Sequence, residues 1–289
     1  MIITLLLFIT AINSQEYDVF GIPEIYDSQL NFTNWNSMHW NNGNSREVFW
    51  SNYDLDDPTG LSQKRGSGTF VIDGNGILEM GGSQPRIYIN GNFINTETTV
   101  YYRRTGTDGA NWGGLIIGSR STPNGHSSSN RNATTYYERL RHDGKIDFEK
   151  ELTHSNTEYW WDNQIHEHGR LYDDGIPSDQ WIGMKFIVFT PSNNPDIAKL
   201  ELYIDKVSNG DSIDDINNWE KLGEVVDEGN FPVDIQSGYN VDPRMVITEG
   251  GGVTFIRNTG ASKAEYKWFS IREIIPPAIY MQSYNIYYN

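Results

Sequence analysis

The sequence predicts an all-β protein, a two-sheet antiparallel β-jelly-roll sandwich, and three observations carry that expectation. Short stretches with apolar residues at every second position recur along the chain, whereas the helical period of 3.6 is nowhere sustained. Turns rich in Gly, Asn and Asp separate them, in keeping with 28 glycines, because these residues take the backbone conformations that tight turns need. The composition, 37% hydrophobic and 13% aromatic, is too apolar for a disordered chain and too rich in turns for a helical bundle.

A chain of 289 residues without cysteine must build a core that holds without disulfides, and large β-sandwiches reach this length as one unit. The missing thiols exclude a cysteine nucleophile and a zinc–thiolate site. A net charge of −16 repels a nucleic-acid backbone, so nucleic acid is not an expected partner.

Taken in order, residues 1–14 (MIITLLLFITAINS) form an apolar run too short to span a bilayer, and are expected to be a cleaved signal peptide of a secreted, extracellular protein. They contain no Lys or Arg, so an uncleaved anchor or a buried first strand stands beside that reading. No later stretch is apolar enough to cross a membrane, and no span is expected in the mature chain. Residues 15–66 read as an N-terminal arm over the sandwich, pinned by Trp35, Trp40 and Trp50. Asn31-Phe32-Thr33 and Asn132-Ala133-Thr134 match the glycosylation acceptor pattern.

The jelly-roll domain is expected over 67–275. It opens on a hairpin, 69–73 and 77–80, around Asp73-Gly74-Asn75-Gly76. Further strands are expected at 85–89, 98–104, 114–119, 134–141, 145–152, 181–190, 200–205, 253–258 and 265–274. Leu200, Leu202 and Ile204 alternate with Glu201, Tyr203 and Asp205, and Ile146 and Phe148 with Asp147 and Glu149, so each strand has one core face and one wet face. Such strands without intervening helices argue for two packed sheets. Only 213–219 resembles a helix. Residues 276–289, after Pro276-Pro277, form a tyrosine-rich C-terminal tail.

Two strands carry Arg and Tyr together. Tyr137, Arg139 and Arg141 share one face of 134–141, and Tyr102 and Arg104 share one face of 98–104. Arginine offers bidentate donors to a carboxylate, and tyrosine a ring for a sugar face plus a hydroxyl, a pairing suited to an acidic polysaccharide. The competing reading pairs these arginines across strands with Glu138, Glu149 or Glu151. In Gln164-Ile165-His166-Glu167-His168, an extended chain puts Gln164, His166 and His168 on one face. Eliminative cleavage of a uronic-acid polymer needs a carboxylate neutraliser, a base for the C5 proton and an acid for the leaving oxygen. Gln or Arg, His and Tyr can fill these roles.

The layout, the Gln164-Ile165-His166 triplet and the closing strands 253–258 and 266–274 (YKWFSIREI) resemble the concanavalin A-like jelly-roll superfamily over roughly 69–274. That superfamily includes alginate and glucuronan lyases and laminin-G-like sugar-binding domains. The resemblance implies catalytic roles for Gln164 and His166, with Arg139 on the preceding strand. It leaves the catalytic acid unassigned, because the family's Tyr-and-Lys strand is matched only by Tyr266-Lys267-Trp268 or Leu202-Tyr203-Ile204. Tyr102, Arg104, Tyr137 and Arg141 are the expected substrate-binding residues.

No cofactor is required for that chemistry. A structural calcium is compatible with the resemblance. The acidic clusters at 54–57, 173–174 and 211–215 lack the spacing of a known calcium loop and read equally as solvated turns. His166 and His168 give two ligands on one face and no third, so no metal is assigned to them. Asp147, Glu149 and Glu151, at every second position, suggest the carboxylate ladder of a glycosidase. Trp112 and Trp160-Trp161 can stack on sugar. A surface or adhesion protein, in which these residues are paired or peripheral, is the reading from a different class.

Overall fold

The computed structural model describes residues 15–29, 34–48, 53–82, 84–106, 111–122, 134–153, 166–206, 218–231, 233, 235 and 240–279. In chain order its strands are β1 (Trp35–Asn36), β2 (Arg46–Glu47), β3 (Ser62–Arg65), β4 (Thr69–Ile72), β5 (Leu78–Gly81), β6 (Arg86–Asn90), β7 (Thr96–Arg104) and β8 (Gly114–Ser121). They continue as β9 (Thr135–Arg141), β10 (Lys145–Glu151), β11 (His166–Arg170), β12 (Ile182–Phe189), β13 (Ala198–Asp205), β14 (Glu220–Asp227), β15 (Val253–Thr259) and β16 (Ala264–Glu273).

All pairings are antiparallel, and they make two sheets. A nine-stranded sheet runs β14-β13-β12-β7-β16-β5-β4-β2, with β1 also on β16, and a seven-stranded sheet runs β11-β10-β9-β8-β15-β6-β3. The two-sheet antiparallel sandwich expected from the sequence is therefore the fold. Its core forms where the inward sets meet: Val100, Met184, Phe186 and Ile271 from one sheet, and Leu115, Ile117, Phe148 and Ile256 from the other. The Phe148 and Phe186 rings meet across the gap with centroids 6.4 Å apart. Each such side chain contributes about 1.5–3 kcal/mol by leaving water.

The outward faces are not simply wet. Glu97, Glu201 and Asp205, all outward on the nine-stranded sheet, are fully buried. Residues 15–29 lie over them: Tyr26 Oη donates to Glu201 at 2.9 Å, and the Ile25 amide donates to Glu97 at 3.0 Å. Lys185 pairs with Glu97 at 2.7 Å and Arg272 with Glu97 at 2.8 Å. Polar residues at alternate positions thus meet ion-pair partners beneath a covering segment, an arrangement that periodicity reads as solvent exposure. The rest of the expected arm is woven into the sandwich, since β1 and β2 join one sheet and β3 the other. β11 and β14 are strands the sequence did not mark.

Trp35 and Trp40 are buried in the core as expected, and Trp50 lies outside the described residues. Trp35 Nε1 donates to Asp57 at 3.0 Å, and the Ser62 and Thr59 amides donate to the same carboxylate at 2.8 and 2.9 Å. Burial alone would raise the Asp57 pKa, but the donors from Ser62, Thr59 and Trp35 outweigh it and hold the group at about 2. A depressed carboxylate contributes stability that is complete above its unfolded value near 3.8 and is lost as pH falls through about 2. The expected loss is about 2 kcal/mol over that window, and Asp57→Asn should flatten this part of the profile of melting temperature against pH.

Candidate functional site on the seven-stranded sheet

Register across the seven-stranded sheet sorts its outward residues into rows. One row reads Tyr88, Phe255, Gly118, Tyr137, Glu149, and the next reads Arg86, Arg257, Ile116, Arg139, Asp147. Tyr88, Phe255 and Tyr137 therefore lie side by side, as a buried cluster, along a line of arginines. Tyr88 and Phe255 have centroids 5.2 Å apart, and Phe255 and Tyr137 5.9 Å. Gly118 is the residue that lets them meet, because a Cβ there would come within 2.4 Å of the Phe255 ring carbons. Gly118→Ala is expected to displace that ring and to lower stability by about 1–3 kcal/mol, measured by chemical denaturation.

The arginines differ in how they are satisfied. Arg139 Nε and Nη2 bridge the two oxygens of Asp147 at 2.9 and 3.0 Å, and Nη2 also pairs with Glu149. Arg141 pairs with Asp143 at 2.7 Å and with Asp147 at 3.3 Å. Arg257 is different. Its Cζ lies 5.7 Å from the centre of the Tyr137 ring, and no described residue accepts a hydrogen bond from its buried Nε. Burial lowers its pKa first, and the positive charge of Arg86 lowers it further. Tyr137 Oη donates to Glu151 at 2.5 Å, and burial followed by the Glu151 charge raises the phenol well above its usual value. Tyr137 is thus held protonated.

The expected site residues separate into three groups. Tyr137, Arg139 and Arg141 share the outward face, as their alternation implies, and the cross-strand pairing of Arg139 with Glu149 that the sequence left open is present. Tyr102 and Arg104 are not brought to that face. Tyr102 is fully buried between the sheets, with its ring 5.5 Å from Tyr266 and its hydroxyl 3.4 Å from His142 Nε2. Arg104 donates to the Ile176 carbonyl at 2.7 Å and to Ser178 at 3.0 Å. The reason is parity: in Thr98-Thr99-Val100-Tyr101-Tyr102-Arg103-Arg104 both faces carry Tyr and Arg, so only the core position of Val100 decides which pair points in. Tyr101 and Arg103 are the outward pair. Gln164 lies outside the described residues. The backbone of His166 sits opposite Phe148, and that of Glu167 opposite Asp147.

Sequence reasoning missed Arg86, Tyr88, Phe255 and Arg257. A signal was available: Arg86-Ile87-Tyr88 and Phe255-Ile256-Arg257 each place an arginine and an aromatic two positions apart around a core isoleucine.

Among the described residues, no group of three or more His, Asp or Glu is disposed to hold a metal ion. At the 54–57 turn the residues do not fit calcium. Asp54 is bonded to Arg46 at 2.8 Å and to His39 at 3.1 Å, and the Asp57 oxygens accept from Trp35 and Thr59. Carboxylates committed to cationic and N–H donors cannot also form an oxygen shell around a cation. Asp147 and Glu149 of the carboxylate ladder do share a face, but both are held by Arg139. No described helix is long and apolar enough to cross a membrane.

No protein-family model matches the chain, and no curated protein matches it either. Solved structures do resemble it. The carbohydrate binding module CBM66 from Bacillus subtilis is 12% identical, covering 73% of this chain and 94% of that one, with a TM-score of 0.43. Arcelin-5, a lectin-like defense protein from Phaseolus vulgaris, is 13% identical over 79% of this chain and 96% of its own, at 0.43. The alginate lyase Aly36B is 12% identical over 80% and 98%, at 0.39. Likenesses at these identities and scores transfer no function.

Proposed function

We propose that this protein binds acidic polysaccharide outside the cell, through the outer face of the seven-stranded sheet. One observation carries the reading: Arg257 is a guanidinium held against Tyr137 with a buried Nε that has no acceptor among the described residues, beside a buried cluster of three aromatic rings. A uronate supplies what this guanidinium lacks, a carboxylate to accept from it. The apolar stretch at 1–14 supports the extracellular setting.

Binding is tested by titrating the protein with alginate and glucuronan oligosaccharides beside neutral ones. Arg257→Met keeps the aliphatic stem and removes the charge. It is expected to weaken acidic ligands by about tenfold to a hundredfold, the worth of a charge-assisted hydrogen bond. No binding to any acidic glycan would shift the reading to a surface or adhesion protein that acts through protein contacts.

Eliminative cleavage is the second reading. It is favoured by the Tyr137 phenol, held protonated on β9. In that reading Arg139 or Gln164 neutralises the carboxylate, His166 takes the C5 proton and a tyrosine protonates the leaving oxygen. Ultraviolet absorbance from unsaturated uronide ends, appearing with the native protein and lost in His166→Ala, tests it separately from binding.

A further inference from the structure

The charges of the seven-stranded sheet are sorted along it. Strands β9 and β10 carry Glu138, Asp147, Glu149 and Glu151 beside their arginines, whereas β3, β6 and β15, which read SQKR, RIYIN and VTFIRNT, contain no Asp or Glu. Those three strands are neighbours in the order β15-β6-β3, and β3 forms the edge of the sheet. In a chain with 38 acidic residues against 22 basic ones, this end of the sheet keeps positive charge apart from negative.

Register then lines up three arginines. Arg65 of β3 lies opposite Arg86 of β6, and Arg86 lies opposite Arg257 of β15. All three are outward, because the adjoining Ile87 and Ile256 point into the core. Like charges in opposed cross-strand positions destabilise a sheet, so the row works against stability until anions lie along it. The repulsion reaches Arg257, whose pKa is lowered first by burial and then by the Arg86 charge. Among the described residues, neither Arg65 nor Arg257 forms an ion pair. Arg86 and Arg257 keep 6% and 9% of their surface exposed, while Arg65 is open to water.

The row has a direction. On the far side of Arg257 it continues through the uncharged Ile116 to Arg139, which Asp147 and Glu149 already hold. A ligand whose first charge sits at Arg257 therefore meets its next open cations only toward the β3 edge. Neighbouring strands are about 4.8 Å apart, which roots Arg65 and Arg257 about 10 Å from each other. A ligand with one carboxylate satisfies one end of such a row, and a chain charged on successive sugars satisfies both. We infer, resting on the binding function proposed above, that the acidic polysaccharide bound here carries its charges on consecutive residues and crosses β15, β6 and β3 toward the sheet edge, with Arg65 as its outer contact. Arg257 donates to one carboxylate and Arg65 to another further along, and the charge of Arg86 between them favours both.

Calorimetric titration of the full chain at low salt tests this, with a glucuronan trisaccharide and a trisaccharide of equal length reduced to one carboxylate. The native protein is expected to bind the fully charged ligand about fivefold more tightly, and to lose that advantage as salt is added. Arg65→Met, at an exposed position where the fold is not at stake, is expected to cost about fivefold for the fully charged ligand and nothing for the singly charged one. Arg65→Glu reverses the charge and is expected to cost more. Equal affinity of the native chain for the two ligands would overturn the inference, as would an Arg65→Glu variant that binds the fully charged trisaccharide like the native chain. A loss of the same size for both ligands would mean that Arg65 acts only through the general field of the face, and would overturn it too. In each of these cases, weakening of both ligands by Arg257→Met keeps the binding function itself. Failure of the native chain to bind either acidic trisaccharide removes that function, and the path along the arginines with it.

Discussion

Lys150→Met is expected to destabilise the protein by about 3–5 kcal/mol, the cost of leaving one member of a buried ion pair alone. Lys150 lies on the inward face of β10 and pairs with Asp227 of β14 at 2.7 Å, with both side chains inaccessible to water. The pair is the centre of a network that joins the two sheets. Tyr136 Oη donates to the same Asp227 oxygen at 2.7 Å and accepts from the Ile247 amide at 3.1 Å, while Lys150 also donates to the Met245 carbonyl at 3.1 Å. Removing the ammonium strands the Asp227 carboxylate in a site built for two charges. Removing both charges, in Lys150→Met with Asp227→Leu, is expected to recover a large part of the loss, because well-packed apolar pairs often equal buried ion pairs in stability. Denaturant titrations of the two single variants and the double variant decide this. A double variant as unstable as the sum of the singles would show that the network, not the uncompensated charge, sets the cost.

Glu138→Leu is expected to act in the opposite direction. Glu138 is fully buried on the inward face of β9, between Ile117 and Phe148 on the neighbouring strands, and neither of its oxygens has a hydrogen-bond partner among the described residues. Burial raises its pKa well above 4.5, and the charges of Asp147 and Glu149 add to the rise against the opposing pull of Arg139. The sign of the effect follows from the protons. Below pH 4.5 the folded and unfolded chains both hold this proton, and nothing is lost. Above it the unfolded chain releases the proton while the folded chain keeps it, so stability falls by about 1.4 kcal/mol per pH unit until the folded pKa is reached. Leucine removes that slope and is expected to stabilise the protein, by an amount that grows as the pH rises above the usual carboxylate range. Unfolding measured at about pH 5 and about pH 8 should show the gain widening with pH. A constant difference between variant and native protein would falsify the account.

Much of the architecture was legible in the sequence because the inward sets are apolar and the period is two. Leu200, Leu202 and Ile204, and Ile146 and Phe148, lie in the core as their spacing predicts. Legibility failed where the pattern is symmetrical or interrupted. β7 carries tyrosine and arginine on both faces, so Tyr102 and Arg104 read as outward when they point in. β16 contains a bulge, and a strict alternation would send Trp268 inward. Strand β14, read as EKLGEVVD, has too few apolar residues to announce itself, and pairing with β13 is what orders it. Of the site, the Tyr137, Arg139 and Arg141 face was visible on one strand. Its partners Arg86 and Arg257 come from β6 and β15, about 170 residues apart in the chain, and only the register brings them side by side.

The same strand order governs when the chain can fold. β16 sits between β7 and β5, and β15 sits between β8 and β6, so each sheet has a late strand inserted among early ones. Until residues 253–273 have been made, β5 through β8 have unfilled edges exactly where the sheets are later continuous. Loops of this length must close before their contacts repay the entropy, which makes such folding slow. A nascent chain therefore carries open, aggregation-prone edges through most of its synthesis. It follows that a holding chaperone during synthesis, rather than one acting on the finished protein, is what should most improve its recovery in a heterologous host.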